Sequence, residues 1–206
     1  GPGLEGTKMA VKTLKESGVK ADYCLIGEPS SKVEVGDRLY YGHRGSHTLE
    51  QLKISGLVGH VALGNGVNAA AIASLVVKKA YQAQWGSNDY PEFVPTVFEV
   101  TELVASSRVY DNNKNEISSG ENVTPDQAII RANWRYNPSI TPEEIEAKMT
   151  AIVKESYLEV SGDKTIPEDA FSQTWVHKGD VFQTQKDSKL LKATETAIHE
   201  SLGITP

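Results

Sequence analysis

Apolar residues recur at helical spacing at Leu4, Met9, Val11 and Leu14, with charged and polar residues between them. Gly18 follows where a C-terminal cap belongs, so the pattern predicts a helix over 4–17. The pattern then changes. Tyr23, Cys24, Leu25 and Ile26 form a short run without alternation, which predicts a strand over 22–27 buried on both faces. Gly27 and Pro29 stop it, leaving Glu28 at its carboxyl end. Residues 33–41 predict a further strand, and Gly42-His43-Arg44-Gly45 a sharp connection.

From Ser46 a different unit begins. Residues 47–55 alternate polar and apolar positions, with Leu52 and Ile54 on one face, and predict a strand. A glycine-hinged loop follows (56–60), then the turn Gly64-Asn65-Gly66-Val67-Asn68, which opens a helix over 68–84 rich in alanine and valine. Residues 93–103 predict a strand, 106–122 a polar loop, and 127–136 a strand alternating Ala, Ile, Ala and Trp. Thr141-Pro142-Glu143-Glu144 carries a capping box with proline in the first turn, which predicts a helix to about 156. Two short segments, 157–160 and 171–176, each qualify as a last strand. The order is β-α-β-β-α-β, the split, ferredoxin-like arrangement. A final helix spans about 187–202, with Asp187 as its cap. The fold class read from these elements is α+β: a ferredoxin-like domain over 45–171, inserted between two α/β pieces at 1–44 and 172–206. Those pieces hold too few strands for a core of their own and together form part of a larger sheet.

Composition narrows the possibilities. With 39% hydrophobic and 23% charged residues in 206, the chain can bury a real core and is not a disordered one. The net charge is −6 and no block of Lys or Arg stands out, which argues against nucleic acid and anionic membrane as partners. Cys24 is the single cysteine. It excludes an intrachain disulfide and any cysteine-based zinc motif, fits a reducing cytoplasm, and within the predicted strand reads as a small buried apolar residue. There is no apolar run of about 18 residues and no basic-then-apolar leader pattern. Helical patterns lie close to both termini, so either tag residues flank a domain or the chain is a piece of a longer protein.

The residues that could carry chemistry are few. The five histidines (His43, His47, His60, His177, His199) form no HExxH, HxH or HxD pair, and a zinc site needs three or four converging donors. No GxSxG elbow exists, and Ser46 beside His47 reads as a strand residue beside a surface histidine. Gly56, Gly59, Gly64 and Gly66 match neither a P-loop nor a dinucleotide fingerprint. Glu28 reads as a metal ligand, a catalytic carboxylate or a solvated turn residue. His60, in its glycine-bounded loop, is either a donor to an oxyanion or an ordinary loop histidine. Asn122 precedes a strand and could donate a hydrogen bond. Arg135 lies within an apolar strand and must either meet a carboxylate, of a substrate or of a surface ion pair, or be exposed on one face.

Three segments taken together resemble a known family: residues 23–31 with Gly27-Glu28-Pro29-Ser30-Ser31, then Gly42-His43-Arg44-Gly45-Ser46, then Gly56-Leu57-Val58-Gly59-His60-Val61-Ala62. In this order they resemble the dinuclear zinc amidohydrolases, which include desuccinylases, deacetylases and related aminopeptidases. The Gly-Glu-Pro-Ser-Ser form, and Trp175 through Gly179 to Phe182-Gln183-Thr184, look most like the succinyl-diaminopimelate desuccinylase branch. The resemblance implies that Glu28 is a terminal ligand to one of two zinc ions, which together activate a bridging water and polarise an amide carbonyl. It implies that His60 stabilises the oxyanion in the partner subunit's site, that Asn122 binds the acyl part of the substrate, and that Arg135 binds a substrate carboxylate. It also implies that His43 and Arg44 are substrate-binding residues, the positions of Tyr40 and His43 being ones that help bind the diaminopimelate end. The inserted domain, 45–171, would be the homodimerisation lid of an enzyme acting on an N-acyl amino acid.

The same resemblance implies that the other zinc ligands and the general base lie outside these 206 residues, so the chain would be inactive by itself and hold zinc poorly. It departs from the branch at Tyr40 and His43, where basic residues are usual, and at Ala62-Leu63-Gly64, where a proline is usual. The strand between Ser46 and Gly56 is one residue longer than typical, which predicts a bulge, and residues 108–116 look inserted. The family's alternatives, an acetylornithine deacetylase or a dipeptidase, stay open, as does a non-catalytic dimerisation module.

Overall fold

The computed structural model describes residues 4–107, 109–110, 116–117, 121–162 and 165–206. Its elements in chain order are α1 (Leu4–Glu16), β1 (Gly42–His43), β2 (Gly45–Ser55), α2 (Ala69–Gln82), β3 (Val97–Ser106), β4 (Val109–Tyr110), β5 (Glu116–Ile117), β6 (Gln127–Tyr136), α3 (Pro142–Ser161), β7 (Phe171–Gly179), β8 (Phe182–Gln183) and α4 (Lys189–Leu202). They fall into two compact units, Gly42–Gln183 on one hand and Gly1–Tyr41 with Thr184–Pro206 on the other.

The first unit is the β-α-β-β-α-β fold. Its four long strands pair antiparallel in the order β3-β6-β2-β7. On β6 the alternation places Ala128, Ile130, Ala132, Trp134 and Tyr136 in the core and Arg131 and Arg135 in solvent. β2 supplies Leu49, Leu52 and Ile54 to the same face. The two residues between Leu49 and Leu52 on β2 oppose the single residue between Ala132 and Ile130 on β6. That is the extra residue of a β-bulge, and it brings Leu49 and Leu52 to one face despite their odd spacing. α2 contributes Ile72, Ala73, Val76 and Ala80 and α3 contributes Ile145, Met149 and Val153, all fully or almost fully buried. Trp134 fills the centre, with its ring 4.7 Å from Phe98, 5.1 Å from Trp85 and 5.4 Å from Trp175.

Local chemistry sets the helix ends. Asn68 caps α2, its Oδ1 accepting from the Ala70 and Ala71 N–H groups at 2.9 and 3.1 Å. α3 has the expected capping box: the Glu144 N–H donates to Thr141 Oγ1 and the Thr141 N–H to Glu144 Oε2. Lys79 on α2 bridges Glu155 and Glu159 on α3, both at 2.8 Å. Gly45 lies under the Tyr136 ring; a Cβ there would stand 2.1 Å from a ring carbon.

The second unit corrects several expectations. The predicted strands at 22–27 and 33–41 are absent: 21–30 is irregular, and Tyr23, Leu25, Ile26, Val33 and Val35 are exposed. A strand apolar on both faces needs neighbouring strands and covering helices, and the described residues give this segment none. Asp37 instead folds 32–37 into a turn, its carboxylate accepting from the Lys32 and Val33 N–H groups at 2.9 and 2.7 Å. The bonds from Lys32 and then Val33 hold that carboxyl below its ordinary range. Cys24 is exposed rather than buried. α1 forms as predicted. The Val19 N–H returns to the Leu14 carbonyl and the Gly18 N–H to Lys15, with Gly18 left-handed at φ +73°. Leu191 on α4 is the one buried apolar residue among the residues of this unit whose burial is described.

Smaller differences have local causes. Residues 157–160 continue α3, because Ile152, Val153, Ser156 and Tyr157 are buried at helical spacing; β7 is the last long strand. β3 starts at Val97, after Pro95, which has no N–H to give a ladder. Ser188, not Asp187, caps α4, its Oγ accepting from the Leu191 N–H at 3.2 Å. Within the predicted 106–122 loop, β4 and β5 pair antiparallel. Most of the inserted-looking segment 108–116, that is 108 and 111–115, lies outside the described residues. No described helix is long and apolar enough to cross a membrane.

Candidate functional site

His60 leads a single 3-10 turn, Val61–Leu63. Its Nδ1 accepts from the Ala62 N–H at 3.2 Å and its own N–H donates to Asn65 Oδ1 at 3.0 Å. With Nδ1 engaged as an acceptor, the neutral ring carries its proton on Nε2, a donor on an exposed side chain. The loop is held by crossing backbone bonds. His60 bridges Val123, the Val61 N–H donates to the Asn122 carbonyl at 2.9 Å, and the Thr124 N–H donates to Gly59 at 2.8 Å. Gly59 permits this closeness, since a Cβ there would fall 2.3 Å from the Gly66 nitrogen. His60 and Asn122 are therefore neighbours, both exposed. Asn65, which fixes the His60 backbone, is a supporting residue that the pattern did not single out. Its only signal was its place between two glycines.

Arg135 and Arg44 form a second cluster. Arg135 is exposed on β6, opposite Ser46 of β2 and Val97 of β3, on the sheet face away from the helices. Arg44 is half-buried and donates from its guanidinium to the Pro95 carbonyl at 2.8 Å. Burial, and next the positive charge of Arg135, push the Arg44 guanidinium below its ordinary value. Two cations this close favour an anion between or beside them. His43 on β1 is exposed, with Nδ1 3.0 Å from the Arg44 carbonyl oxygen and its ring 5.8 Å from that of Phe182.

The two clusters sit at opposite ends of the same sheet. The His60 loop leaves β2 at Ser55, which pairs with Gln127, while Arg135 pairs with Ser46 at the other end. The nine residues of β6 from Gln127 to Arg135 span on the order of 25 Å. One copy of this unit cannot bring both to a single small substrate. Glu28 belongs to the other unit; it is exposed and does not end a strand. Among the described residues no group of three or more His, Cys, Asp or Glu side chains could hold a metal ion. A dinuclear metal centre does not fit the described donors, because Glu28 has no companion ligands among them. His47, expected at the surface, is buried at 2% exposure.

The family model for a peptidase dimerisation domain matches residues 41–161. The chain belongs to the peptidase dimerisation domain family. Beyond that domain, the chain is 34% identical over 207 residues to a succinyl-diaminopimelate desuccinylase of Psychromonas ingrahamii, a match spanning 100% of this chain and 48% of the relative. It is 32% identical over 213 residues to the desuccinylase of Bordetella avium, with the same coverage of both chains. The chain thus spans about half the length of the curated relatives it matches. Among solved structures, a Staphylococcus aureus tripeptidase aligns at TM-score 0.53 and 17% identity, covering 80% of this chain and 37% of that one. An aminopeptidase from Bacillus cereus aligns at 0.50 and 18%, covering 81% and 38%. These two likenesses speak to the fold alone. The matched dimerisation domain includes His43, Arg44, His60, Asn122 and Arg135 but not Glu28.

Proposed function

We propose that this peptidase dimerisation domain is the lid of an amide hydrolase that releases succinate from an N-succinyl amino acid, N-succinyl-LL-2,6-diaminopimelate being the substrate the relatives' name suggests. The observation that carries the reading is the separation of the two clusters along one sheet. Arg44 and Arg135 bind a substrate carboxylate at one end. His60 and Asn122, at the other end, reach the substrate held by a second copy. There the Nε2–H of His60 donates to the oxygen on which charge develops during attack on the amide carbonyl, and Asn122 bonds to the acyl oxygens. A homodimer follows from this division. β3 is an edge strand with exposed Leu103 and Val104 along it, and an unpaired antiparallel edge is a natural place for two copies to meet.

Glu28 is proposed as one carboxylate ligand of a two-zinc centre whose remaining donors the described residues do not hold. Zinc would supply Lewis-acid activation of the amide and of water, and no step here is assigned through it. The 206-residue chain is accordingly expected to be inactive alone. The test is an assay of the full-length protein on N-succinyl-diaminopimelate against N-acetylornithine and a dipeptide. Turnover of the succinyl substrate in preference to the other two supports the reading. Preference for N-acetylornithine or the dipeptide replaces it with the deacetylase or dipeptidase alternative. A monomeric mass by light scattering would remove the in-trans part.

A further inference from the structure

The loop that carries His60 is a closed frame. Its neck is Leu57 and Val67, whose backbones exchange two hydrogen bonds, each of 2.9 Å. One side is fastened to Val123 by the Val61 N–H bond to the Asn122 carbonyl and the Thr124 N–H bond to the Gly59 carbonyl. Both bonds come from the neighbours of His60 and Val123, so these two form a non-hydrogen-bonded antiparallel pair. In such a pair a residue's own N–H and C=O point away from the facing strand. The His60 carbonyl turns into the 3-10 turn, where it accepts from the Leu63 and Gly64 N–H groups at 2.9 and 3.2 Å. The His60 N–H goes to a side chain instead, Oδ1 of Asn65, at 3.0 Å.

Two features bring that oxygen into reach. Gly64 is left-handed at φ +59°, which folds the chain back toward His60. Gly59 leaves room for the amide, since a Cβ there would stand 2.8 Å from Asn65 Oδ1. The backbone of His60, at φ −85° and ψ 127°, is thus held by main-chain bonds on one side and by the Asn65 amide on the other. The same two dihedrals aim its Cα–Cβ bond, and with it the imidazole whose Nδ1 accepts from the Ala62 N–H. Without the Asn65 oxygen the exposed His60 N–H turns to water, and one of the restraints on the ring is gone. The bonds at Val61 and Thr124 do not involve Asn65 and persist.

We propose that Asn65 is a positioning residue for the amide hydrolysis assigned above: through the His60 N–H it holds the imidazole where Nε2–H meets the developing oxyanion. The proposal rests on the reading of His60 as the oxyanion donor. Its effect belongs to the step in which charge develops. Arg44 and Arg135 bind the substrate at the other end of the sheet, so loss of Asn65 lowers kcat and leaves KM in place.

The test compares full-length wild type with Asn65→Ala, Asn65→Asp and His60→Ala. Each is assayed on whichever of the three substrates named above the wild type turns over best, and its amide hydrogen exchange is followed at His60, Val61 and Thr124. Asn65→Ala is expected to lose about fivefold in kcat, the size of one neutral hydrogen bond, with KM within about twofold. Its His60 amide should exchange faster by a similar factor while Val61 and Thr124 stay as slow as in the wild type. Asn65→Asp, which keeps the accepting oxygen, should restore both. Wild-type kcat in Asn65→Ala beside a loss of about 10²–10³-fold in His60→Ala would overturn the proposal. So would equal losses in Asn65→Ala and Asn65→Asp with faster exchange at Val61 and Thr124, the signature of a loop that has simply opened. Wild-type kcat in His60→Ala would overturn the reading of His60 itself, and the role of Asn65 would fall with it.

Discussion

The two units are made of similar residues and end in opposite conditions. Gly42–Gln183 encloses Trp134, Leu49, Leu52, Ile54, Ile72 and Ile130 completely. The other unit leaves Met9, Leu25, Ile26, Val33 and Val35 between 64% and 88% exposed. Apolar content is therefore not what separates them. In the first unit each strand and helix finds a neighbour within the chain, so alternation turns into burial. In the second, α1 and α4 form from their own hydrogen bonds and caps, while the apolar run at 23–26 finds no flanking strands among the described residues that would make it one. The helices of that unit are locally specified and its missing strands are tertiary. A dimerisation domain that folds from its own contacts can then present two clusters at opposite ends of a stiff sheet, which is what a site shared between copies requires.

Mutations should feel this difference in order. Trp134→Ala removes the centre of the aromatic cluster and should cost about 3–5 kcal/mol in chemical denaturation. A cost no larger than that of a surface change would mean the first unit is not cored as described. Thr141→Ala removes the capping-box side chain of α3 and should cost about 1 kcal/mol by the same measurement. Ile26→Ser in the other unit should stay within about 0.5 kcal/mol in this chain. A loss comparable to Trp134→Ala would show that 22–27 is a buried strand after all.

What could be read from the sequence follows the same division. The strand at 127–136, the capping box at Thr141 and Glu144 and the β-α-β-β-α-β order are written in local periodicity and turn chemistry, the bulge in β2 is implied by the strand's length relative to the family it resembles, and the structure has all four. The reading failed where burial depends on partners. Tyr23 to Ile26 carry the apolar signature of a two-faced strand, and nothing in that signature reveals whether other strands lie beside it. His47 failed for the converse reason. A histidine in an alternating strand looks like a surface residue, and only the fold brings Trp175 onto its face. For the site, the glycine-bounded loop made His60 conspicuous. Its adjacency to Asn122 and its distance from Arg135 come from the antiparallel pairing of β2 with β6, which residue types do not reveal.

The claim that the site is completed between copies has a direct test. Full-length protein carrying His60→Ala and full-length protein carrying Arg135→Ala, each expected to have lost most activity, are mixed, allowed to exchange subunits and assayed. In a shared-site homodimer each mixed dimer regains one intact site, so an equal mixture should recover about a quarter of wild-type activity. No recovery, with mixed dimers shown to form, would mean that His60 and Arg135 serve the same chain's site, and the division of labour proposed for the two ends of the sheet would be wrong.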